Sequence, residues 1–379
     1  MSHPFSLYVH YPWCWSKCPY CDFNAYAMST HPPDFERYTT QLIWDLTRSN
    51  LQTPWLTRLT SIYLGGGTPS LVPIDQLERL FRAIHKVYRY DRTCEITMEI
   101  SPKTDKHYLR SVIDLGVNRF SVGLQSFHPA VLKTLGREHH AGESHQILHE
   151  LLAAGATNIN VDLIYGLECQ TPTMVLDDLK QALTYPIEHL SWYELMLEPN
   201  TQFAHRNDLK ANLDKLEEME EQGALYLAEK NMRHYEISAY CRERQSLHNT
   251  HYWLYGDYLG IGAGAHSKIT LTPKKTLRCY KTRDPKDYLK YPKVLHDAVL
   301  DEALDYLLNR CRLFTPISFM EIHQALPSHA ANMIEAWIKS KKDSPFYAST
   351  QEGFFLTPRG RLLINDLLYD FQEWRKNNS

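Results

Sequence analysis

Short β-rich runs alternate with helix-length amphipathic stretches through the first two-thirds of the chain, and this alternation limits the possible folds more than any other feature. Strands joined by crossover helices are typical of a parallel sheet in an α/β protein. The predicted strands are Ser6–His10, Ser61–Leu64, Glu95–Ile100, Arg119–Leu124, Asn158–Tyr165 and His189–Leu197. The predicted helices lie near 35–49, 75–88, 104–115, 141–154, 173–184 and 213–232. Since a closed TIM barrel has eight such units, these six predict a partial (β/α)6 TIM-like barrel that is open on one side.

The remaining third of the chain has a different pattern. A strand-like run at Tyr235–Tyr240 precedes a polar, aromatic stretch at Arg242–Tyr258 and a glycine-rich segment at Leu259–Ser267, and we expect all three to pack across the open side of the barrel. From about residue 298 the periodicity is helical. The predicted elements there are helices at Asp301–Arg312, Pro316–Leu326, Ala330–Lys341 and 358–374, and a short strand at Gly353–Thr357. The predicted regions are a core domain at 1–234, a barrel-closing segment at 235–297 and a small C-terminal helical domain at 298–379.

Composition and charge exclude several classes of protein. The 379 residues are 43% hydrophobic, which is enough for a sizeable core, and 41 basic against 44 acidic residues leave a formal net charge of -3. A chain with this balance has no general attraction for nucleic acid or for an anionic membrane. The first residues lack the basic and apolar regions of a signal peptide, and no apolar run approaches the roughly 18 residues that span a bilayer. We therefore expect a cytoplasmic protein that binds no nucleic acid and meets membranes only through its partners.

Three of the eight cysteines stand close together in the sequence. Cys14, Cys18 and Cys21 form a Cys-x3-Cys-x2-Cys pattern in the loop after the first predicted strand. In a reducing compartment, clustered thiols indicate a metal site rather than disulfides. Three thiolates can hold three irons of a four-iron cluster and leave the fourth iron open to another ligand. The alternative is a structural zinc site that His10 or another histidine completes.

The cysteine spacing, placed after the first strand of a βα array, resembles the signature of the radical S-adenosylmethionine (SAM) superfamily. In that superfamily the cluster binds SAM at its unique iron and cleaves it reductively. The resemblance implies a [4Fe-4S] cluster with three cysteine ligands, and exchangeable SAM, as cofactors. SAM carries an ammonium, a carboxylate, two ribose hydroxyls and an adenine, and each of these groups needs a partner on the protein.

Candidate partners for SAM occur at or just after the ends of successive predicted strands, where the active sites of such barrels are built. These candidates are Gly66, Gly67, Thr68, Glu99, Gln125, Arg137 and Asp162. The glycines resemble the GGE-like motif of the superfamily, while a SAM carboxylate suits Arg137 and a ribose suits Asp162. Taken singly, a triple glycine is more often a tight turn, and each polar residue is as often a satisfied structural group. Their recurrence in successive units favours one shared ligand.

Longer segments resemble one branch of the superfamily, which contains the oxygen-independent coproporphyrinogen III oxidases and the HemW group of heme chaperones. The resemblance covers nearly the whole chain. The segments that carry it are Tyr8–Cys14, Gly65–Ser70, Ser121–Phe127, Leu135–Arg137, Asn160–Leu167, Glu198–Thr201, Tyr235–Ser238, Asp257–Ser267 and Leu356–Gly360. It implies that Tyr8 and Tyr20 also contact SAM and that the C-terminal domain is winged-helix-like.

Two features separate the oxidases from the heme chaperones. The oxidases carry a further cysteine two residues after the third cluster cysteine, where this chain has Phe23, and a longer tail before the first strand. His248–Trp253 in turn fits the HNxxYW motif of the heme chaperone subgroup. A histidine beside aromatic residues is usually a packed or surface residue, but histidine is also a normal heme ligand, and the resemblance predicts His248 as the heme contact. His251 is a second candidate that the motif does not require.

The resemblance implies a heme chaperone that carries the cluster and SAM, binds heme and transfers it to respiratory hemoproteins, with a homodimer as a further expectation. The alternative is an oxygen-independent coproporphyrinogen III oxidase of porphyrin biosynthesis. Radical chemistry on another substrate also stays open, so the sequence does not decide whether the protein is an enzyme. Glu168–Cys169 and Leu247 depart from the family pattern. The basic run Lys339–Lys342 is either a solvated face, as such runs usually are, or a docking surface for a heme-receiving protein.

Overall fold

The computed structural model describes residues 3–272, 275–297, 301–341 and 344–378. The strands are β1 (His3–Tyr11), β2 (Trp13–Cys14), β3 (Tyr26–Ala27), β4 (Leu56–Gly66), β5 (Glu95–Ile100), β6 (Arg119–Gln125), β7 (Ile159–Tyr165), β8 (His189–Glu194), β9 (Arg233–Glu236), β10 (Ala239–Cys241), β11 (Asp257–Ile261), β12 (His266–Thr272), β13 (Lys275–Lys281), β14 (Val294–Asp297), β15 (Ile317–Ser318), β16 (Tyr347–Ser349) and β17 (Gly353–Leu356). The helices are α1 (Phe35–Gln52), α2 (Ile74–Val87), α3 (Lys106–Asp114), α4 (Pro129–Thr134), α5 (Ala141–Ala153), α6 (Pro172–Leu183), α7 (Leu213–Glu229), α8 (Leu247–Trp253), α9 (Pro285–Lys290), α10 (Glu302–Arg310), α11 (Phe319–Ala325), α12 (Ser328–Ser340), α13 (Pro358–Leu362) and α14 (Ile364–Lys376). Within these ranges no helix combines the length and the apolar character that crossing a bilayer requires.

The alternation of side chains along β1 shows how the barrel wall is built. Phe5, Leu7 and Val9 are fully buried in the main apolar core, which the surrounding helices share. Successive side chains of a strand point to opposite faces, so Ser6 faces inward, where its hydroxyl accepts from the Ser61 hydroxyl of β4 at 2.7 Å. The outer face of the sheet therefore packs against helices, and the inner face is polar.

The main sheet confirms the predicted α/β class and the parallel barrel core. Its strand order is β14-β13-β12-β11-β1-β4-β5-β6-β7-β8-β10-β9, and the neighbours from β11 through β8 run parallel. Each predicted βα unit of the core has its strand and its helix. The boundaries differ by a few residues, since β4 begins at Leu56 rather than Ser61 and β8 ends at Glu194 rather than Leu197.

The segments after α7 extend both edges of the sheet, and their closing of the open side of the barrel stays a prediction. The strand predicted at Tyr235–Tyr240 is a hairpin of β9 and β10, which pairs antiparallel with β8. The glycine-rich segment Leu259–Ser267 supplies most of β11, which pairs parallel with β1, and the start of β12. Between these strands in sequence, α8 contacts β1, β4 and β11, with one of its side chains bonded to the inward-facing Ser61.

The C-terminal residues form a second packing unit. A three-stranded antiparallel sheet, in the order β15-β17-β16, packs with α10 to α14 around Tyr306, Trp337 and Phe371, which fits a winged-helix-like domain. Two predicted boundaries were wrong: the chain is extended through β15 before α11 begins, and the helix predicted at 358–374 is interrupted at Leu363 between α13 and α14.

The division of the chain at residues 234 and 297 stays a prediction. Residues 298–300 at its second boundary, and Lys342 of the basic run, lie outside the described residues.

A buried ion pair fixes the added strands to the barrel. Lys281 Nζ, at the end of β13, lies 2.5 Å from Asp45 Oδ1 of α1. The Tyr288 hydroxyl donates to the other oxygen of Asp45 at 2.9 Å. Both charged side chains are almost completely buried, so removal of either would leave an uncompensated charge inside the protein.

Candidate functional site

Polar side chains fill the inside of the barrel. Tyr63, Glu99, Ser121, Asp162 and Ser191 come from the successive strands β4 to β8 and line one cavity of about 520 Å³. In a typical TIM barrel the interior is instead filled by bulky apolar side chains. A polar interior around a cavity of this size suits a ligand with several polar groups.

The three clustered cysteines border the same cavity, next to the carboxyl end of β4. Cys14 ends β2, which pairs with β3 and so holds the loop in place. Within the loop, the Cys21 amide donates to the Cys18 carbonyl at 3.0 Å. All three thiols are free, and burial together with the neighbouring sulfurs raises the pKa of Cys14 to about 12. Thiolates gathered in this way require nearby positive charge, which bound iron would supply.

The donor set fits an iron–sulfur cluster better than zinc. Within the described parts of the chain, no three His, Cys, Asp or Glu side chains converge closely enough to hold one metal ion. His10, which the zinc alternative invokes, has both ring nitrogens engaged, Nδ1 with the Tyr8 hydroxyl at 2.8 Å and Nε2 with the Asn24 carbonyl at 2.9 Å. A tetrahedral zinc ion needs its ligands around one point, whereas in a cluster each thiolate binds a different iron.

Gly66 and Gly67 are required by the packing of the cysteine loop against β4. Gly66 has a φ of 112°, which favours glycine, and a side chain there would collide with the His10 ring. A Cβ atom on Gly67 would lie 2.3 Å from the Trp13 carbonyl oxygen. The Thr68 amide donates to that same carbonyl at 2.7 Å. The glycine motif therefore seats the cysteine loop, and it also borders the cavity.

Glu99 places a partly neutral carboxyl group in the cavity wall. It accepts hydrogen bonds from the Tyr63 hydroxyl and the Gly66 amide, both at 2.9 Å. Burial raises its pKa to about 7, and the charge of Asp162 also acts in that direction. A cationic group beside the carboxyl would favour its ionised form, so Glu99 suits an ammonium.

Arg137 connects the cysteine loop to β6. Its Nη2 donates to the Gly123 carbonyl at 2.6 Å, and its Nη1 lies 3.5 Å from Cys18 Sγ. Its buried Nε has no partner among the described residues, so the guanidinium is only partly satisfied. Gln125 lies at the end of the same strand with a φ of 71°, which is uncommon for a residue with a side chain, and its Oε1 accepts from the Tyr193 hydroxyl at 3.0 Å.

Asp162 presents a carboxylate from the middle of β7. It accepts from Asn160 Nδ2 at 2.7 Å and from the Ser121 hydroxyl at 3.4 Å. Burial raises its pKa, although these hydrogen bonds and the charge of Arg119 act in the opposite direction. Its remaining acceptor capacity suits hydroxyl donors such as those of a ribose.

The structure brings most of the predicted site residues together around this one cavity. Those that line it are Cys14, Cys18, Cys21, Tyr20, Gly66, Gly67, Thr68, Glu99, Gln125, Arg137 and Asp162. Tyr8 and His248 lie outside its lining. Which ligand each of these residues contacts stays a prediction.

His248 belongs to α8, and its buried side chain packs against the inner face of β4. Its Nδ1 lies 2.9 Å from Ser61 Oγ, and its Nε2 lies 2.9 Å from the Tyr252 hydroxyl. The ring centroids of Tyr63 and Tyr8 are 4.9 and 6.4 Å away, and burial holds the pKa of His248 well below its ordinary value. Neither ring nitrogen is therefore available to an iron in this arrangement, and His248 as a heme contact stays a prediction.

Sequence reasoning missed several cavity residues that come earlier on a strand than the predicted site residue of that strand. Asn160, two residues before Asp162, donates to it and also to Ser121 at 2.7 Å. Arg119, two residues before Ser121, is buried and lines the cavity as well. Because every second residue of a strand faces the same side, the position of Asn160 two residues before the predicted Asp162 contained the missing signal, whereas on β6 the only predicted residue was Gln125.

Comparisons with known proteins agree with this arrangement. Residues 8–182 match the Radical SAM superfamily. The chain is 36% identical over 377 residues to the heme chaperone HemW of Haemophilus influenzae, with 96% of this chain and 97% of that protein aligned. It is 34% identical over 374 residues to the heme chaperone HemW of Escherichia coli, with 96% and 97% aligned. The chain belongs to the HemW family of the radical SAM superfamily.

A solved structure shows the same fold as this family member. The coproporphyrinogen III oxidase HemN of Escherichia coli, described as a radical SAM enzyme, superposes with a TM-score of 0.80 over 98% of this chain and 90% of that chain, at 21% identity. Membership of the radical SAM superfamily implies a [4Fe-4S] cluster and SAM. The cysteine loop and the polar cavity provide the kinds of side chain that both would need.

Proposed function

We propose that this protein is a heme chaperone that holds a [4Fe-4S] cluster on Cys14, Cys18 and Cys21, binds SAM beside the cluster and transfers heme to respiratory hemoproteins. The observation that carries the proposal is the single cavity in which these cysteines meet the predicted SAM partners, in a chain that aligns with its HemW relatives over 96% of its length. Both relatives are named heme chaperones. A cytoplasmic location and a homodimer belong to the same proposal.

The cavity offers a counterpart for each charged group of SAM. In the proposed complex Arg137 binds the carboxylate, Glu99 the ammonium and Asp162 the ribose hydroxyls. Glu99 retains a proton near neutral pH because burial raises its pKa to about 7, and an ammonium beside it favours release of that proton. The chemistry that bound SAM would supply at the open iron of the cluster is its own reductive cleavage. The protein's own part is to orient SAM and to seat the cysteine loop through Gly66 and Gly67.

The heme-binding part of the proposal depends on α8, which carries the HNxxYW motif at His248–Trp253. This helix packs on β4 at Ser61, in the middle of the strand, and its Asn249 lines the same cavity as the cysteines. In the proposed complex the heme-binding helix therefore lies next to the cavity that holds SAM.

Anaerobic reconstitution followed by a heme titration tests this proposal. We expect the reconstituted protein to bind heme with a defined Soret absorption band, and to bind SAM. Replacement of Cys14, Cys18 and Cys21 by serine removes the iron content and the SAM affinity, whereas replacement of the exposed Cys169 by serine leaves both intact. A reconstituted protein without heme affinity would contradict the proposal, as would a triple variant that still binds SAM.

The second candidate function is oxidative decarboxylation of coproporphyrinogen III, and one observation bears on it. Phe23, at the position of the oxidases' further cysteine, lies at the rim of the cavity with 57% of its surface exposed. We expect no sustained formation of protoporphyrinogen IX when reductant, SAM and coproporphyrinogen III are supplied anaerobically. Sustained turnover would replace the chaperone proposal by the oxidase.

A further inference from the structure

A buried arginine lies at the end of the cavity that is farthest from the cysteine loop. Arg119 is the first residue of β6, only 2% of its surface is exposed, and it lines the cavity of about 520 Å³. The seven residues of β6 extend over roughly 20 Å, and Gln125 ends the strand. Because the cysteine loop borders the carboxyl ends of these parallel strands, Arg119 begins at the opposite end, here called the barrel floor.

The Arg119 guanidinium has no direct partner in the protein. Within the described residues it forms no hydrogen bond and no ion pair. Its neighbour in register on β5 is Thr97, which is fully buried and whose hydroxyl is likewise unbonded in the described ranges. A buried charge is normally paired or hydrogen-bonded, because removing it from water costs free energy. Arg119 therefore calls for a counter-ion that the neighbouring strand does not supply.

The acidic side chains on the inner face of the barrel are held by other groups. Glu95 accepts from two backbone amides of α8, both at 3.0 Å. Glu99 and Asp162 accept from hydroxyl and amide groups at 2.7 to 3.4 Å. Burial raises the pKa of Asp162 and the charge of Arg119 opposes that rise, but the two side chains form no ion pair. None of these three carboxylates is thus the direct partner of the guanidinium.

Helix α8 brings a second donor to the cavity. Asn249 lines it, and within the described part of the chain the side-chain amide of Asn249 has no hydrogen bond. Burial lowers the pKa of the preceding residue, His248, and the charge of Arg119 acts in the same direction, so this part of α8 lies near the arginine. Guanidinium and amide N–H groups both donate to oxygen. Together they suit a ligand that carries negatively charged oxygens.

We propose that the barrel floor binds a small carboxylate, whose oxygens accept from the Arg119 guanidinium and the Asn249 side chain, beneath SAM. A planar guanidinium holds a carboxylate through two parallel hydrogen bonds. A phosphate dianion fits less well, because Asp162 and the partly ionised Glu99 already place negative charge in the cavity. The ligand is small because SAM takes the rest of the cavity, and the carboxylate of SAM has Arg137. This inference extends the proposed function, since it adds a ligand to the cavity proposed for SAM, and it does not involve heme.

Calorimetric titration of the reconstituted, SAM-saturated protein with propionate tests the site. We expect saturable binding of propionate, but not of propionamide, which has a similar shape without the charge, or of inorganic phosphate. Arg119→Met should weaken propionate binding about tenfold or more. Arg92→Met, on an exposed residue between α2 and β5, should leave it unchanged. No saturable propionate binding, equal binding of propionamide, preference for phosphate, or full affinity in Arg119→Met would overturn the proposal.

Two further variants and a competition test the contacts. Arg119→Lys keeps the charge but loses the fork of donors, so its affinity for propionate should lie between those of the unaltered protein and Arg119→Met. Asn249→Leu should weaken propionate binding severalfold and leave SAM affinity unchanged. SAM and propionate should bind at the same time. If they exclude each other, Arg119 serves the carboxylate of SAM itself and the separate carboxylate site is refuted.

Thermal unfolding separates a ligand-binding arginine from a structural one. Arg119→Met removes a buried charge without a direct partner, so it should not lower the melting temperature measured without carboxylate. Propionate should raise the melting temperature of the unaltered protein, because a ligand that binds only the folded state stabilises it, and should not raise that of Arg119→Met. A lower melting temperature in the variant would show that the arginine balances Asp162 within the fold, which contradicts the proposal.

The same measurements distinguish this inference from the proposed function. The variant with serine in place of Cys14, Cys18 and Cys21 should lose SAM but keep propionate binding, because the barrel floor is at the other end of the strands. Propionate binding by a protein that binds neither SAM nor heme would refute the proposed function and leave the carboxylate site intact. Binding of SAM and heme without binding of propionate would refute the carboxylate site alone.

Discussion

Glu99→Gln should remove a pH-dependent loss of stability that the buried carboxyl imposes on the protein. The pKa of Glu99 is raised in the folded protein from its ordinary value of 4.5 to about 7, mainly by burial. The folded state therefore binds this proton more tightly than the unfolded state does. Stability is then greatest below pH 4.5 and falls as the pH rises towards 7. Glutamine keeps the shape of the side chain but has no proton to lose.

The size of the effect follows from the pKa change. A rise from 4.5 to about 7, at roughly 1.4 kcal/mol for each pH unit, corresponds to about 3 kcal/mol in total. Roughly 2 kcal/mol of this falls between about pH 5.5 and pH 8, by the same linkage relation. Bound SAM should reduce the difference, because an ammonium beside Glu99 lowers its pKa.

Urea unfolding of the reconstituted protein at several pH values measures this difference. We expect the free energy of unfolding of Glu99→Gln, minus that of the unaltered protein, to increase by about 2 kcal/mol from about pH 5.5 to pH 8. Glu217→Gln, on an exposed residue of α7, serves as the control and should follow the unaltered protein. Parallel pH profiles for Glu99→Gln and the unaltered protein would show that the cavity does not desolvate this carboxyl.

Three further predictions follow from single contacts. Asp45→Asn should lower the free energy of unfolding by about 3–5 kcal/mol, measured by urea unfolding, because it leaves the buried charge of Lys281 unpaired. Gly67→Ala should destabilise the protein by about 1–3 kcal/mol and reduce its iron content after reconstitution, because the added Cβ lies 2.3 Å from the backbone of the cysteine loop. Gly142→Ala is the control and should change neither quantity, because its added Cβ meets no atom within 4 Å. Arg137→Lys should weaken SAM binding at least tenfold in equilibrium dialysis, because lysine keeps the charge but loses the fork of donors.

Local pattern was enough to predict the parallel core. Strand β5 was predicted at Glu95–Ile100, as observed, because its β-branched and apolar residues are bounded by polar ones. Most of the candidates lie near strand ends and reach one cavity, since the carboxyl ends of parallel strands lie along the same edge of a sheet, while Asp162 reaches it from the middle of β7. The parallel core could be predicted from the order of its strands in the chain alone, because consecutive strands there are also neighbours in the sheet.

Long-range pairing explains what the sequence did not reveal. Strand β11 pairs with β1, although about 250 residues separate them, and no local periodicity encodes such a partner. For the same reason the burial of His248 could not be foreseen, because its partner Ser61 lies 187 residues away in the sequence. The sequence therefore predicted neither the helix α8 at the HNxxYW motif nor which of its side chains faces the barrel and which faces the solvent.

Tyr63 gives the two ends of the barrel a direct physical connection. Its hydroxyl donates to Glu99 at 2.9 Å, and its ring lies 4.9 Å from that of His248, which holds α8 on β4. In the proposed complex, SAM beside Glu99 and heme at α8 would thus act on the two sides of one tyrosine. If this contact couples them, the factor by which SAM changes the Kd for heme must equal the factor by which heme changes the Kd for SAM. The two titrations are independent measurements of one coupling free energy, and a factor of one in both would show that the two sites do not communicate.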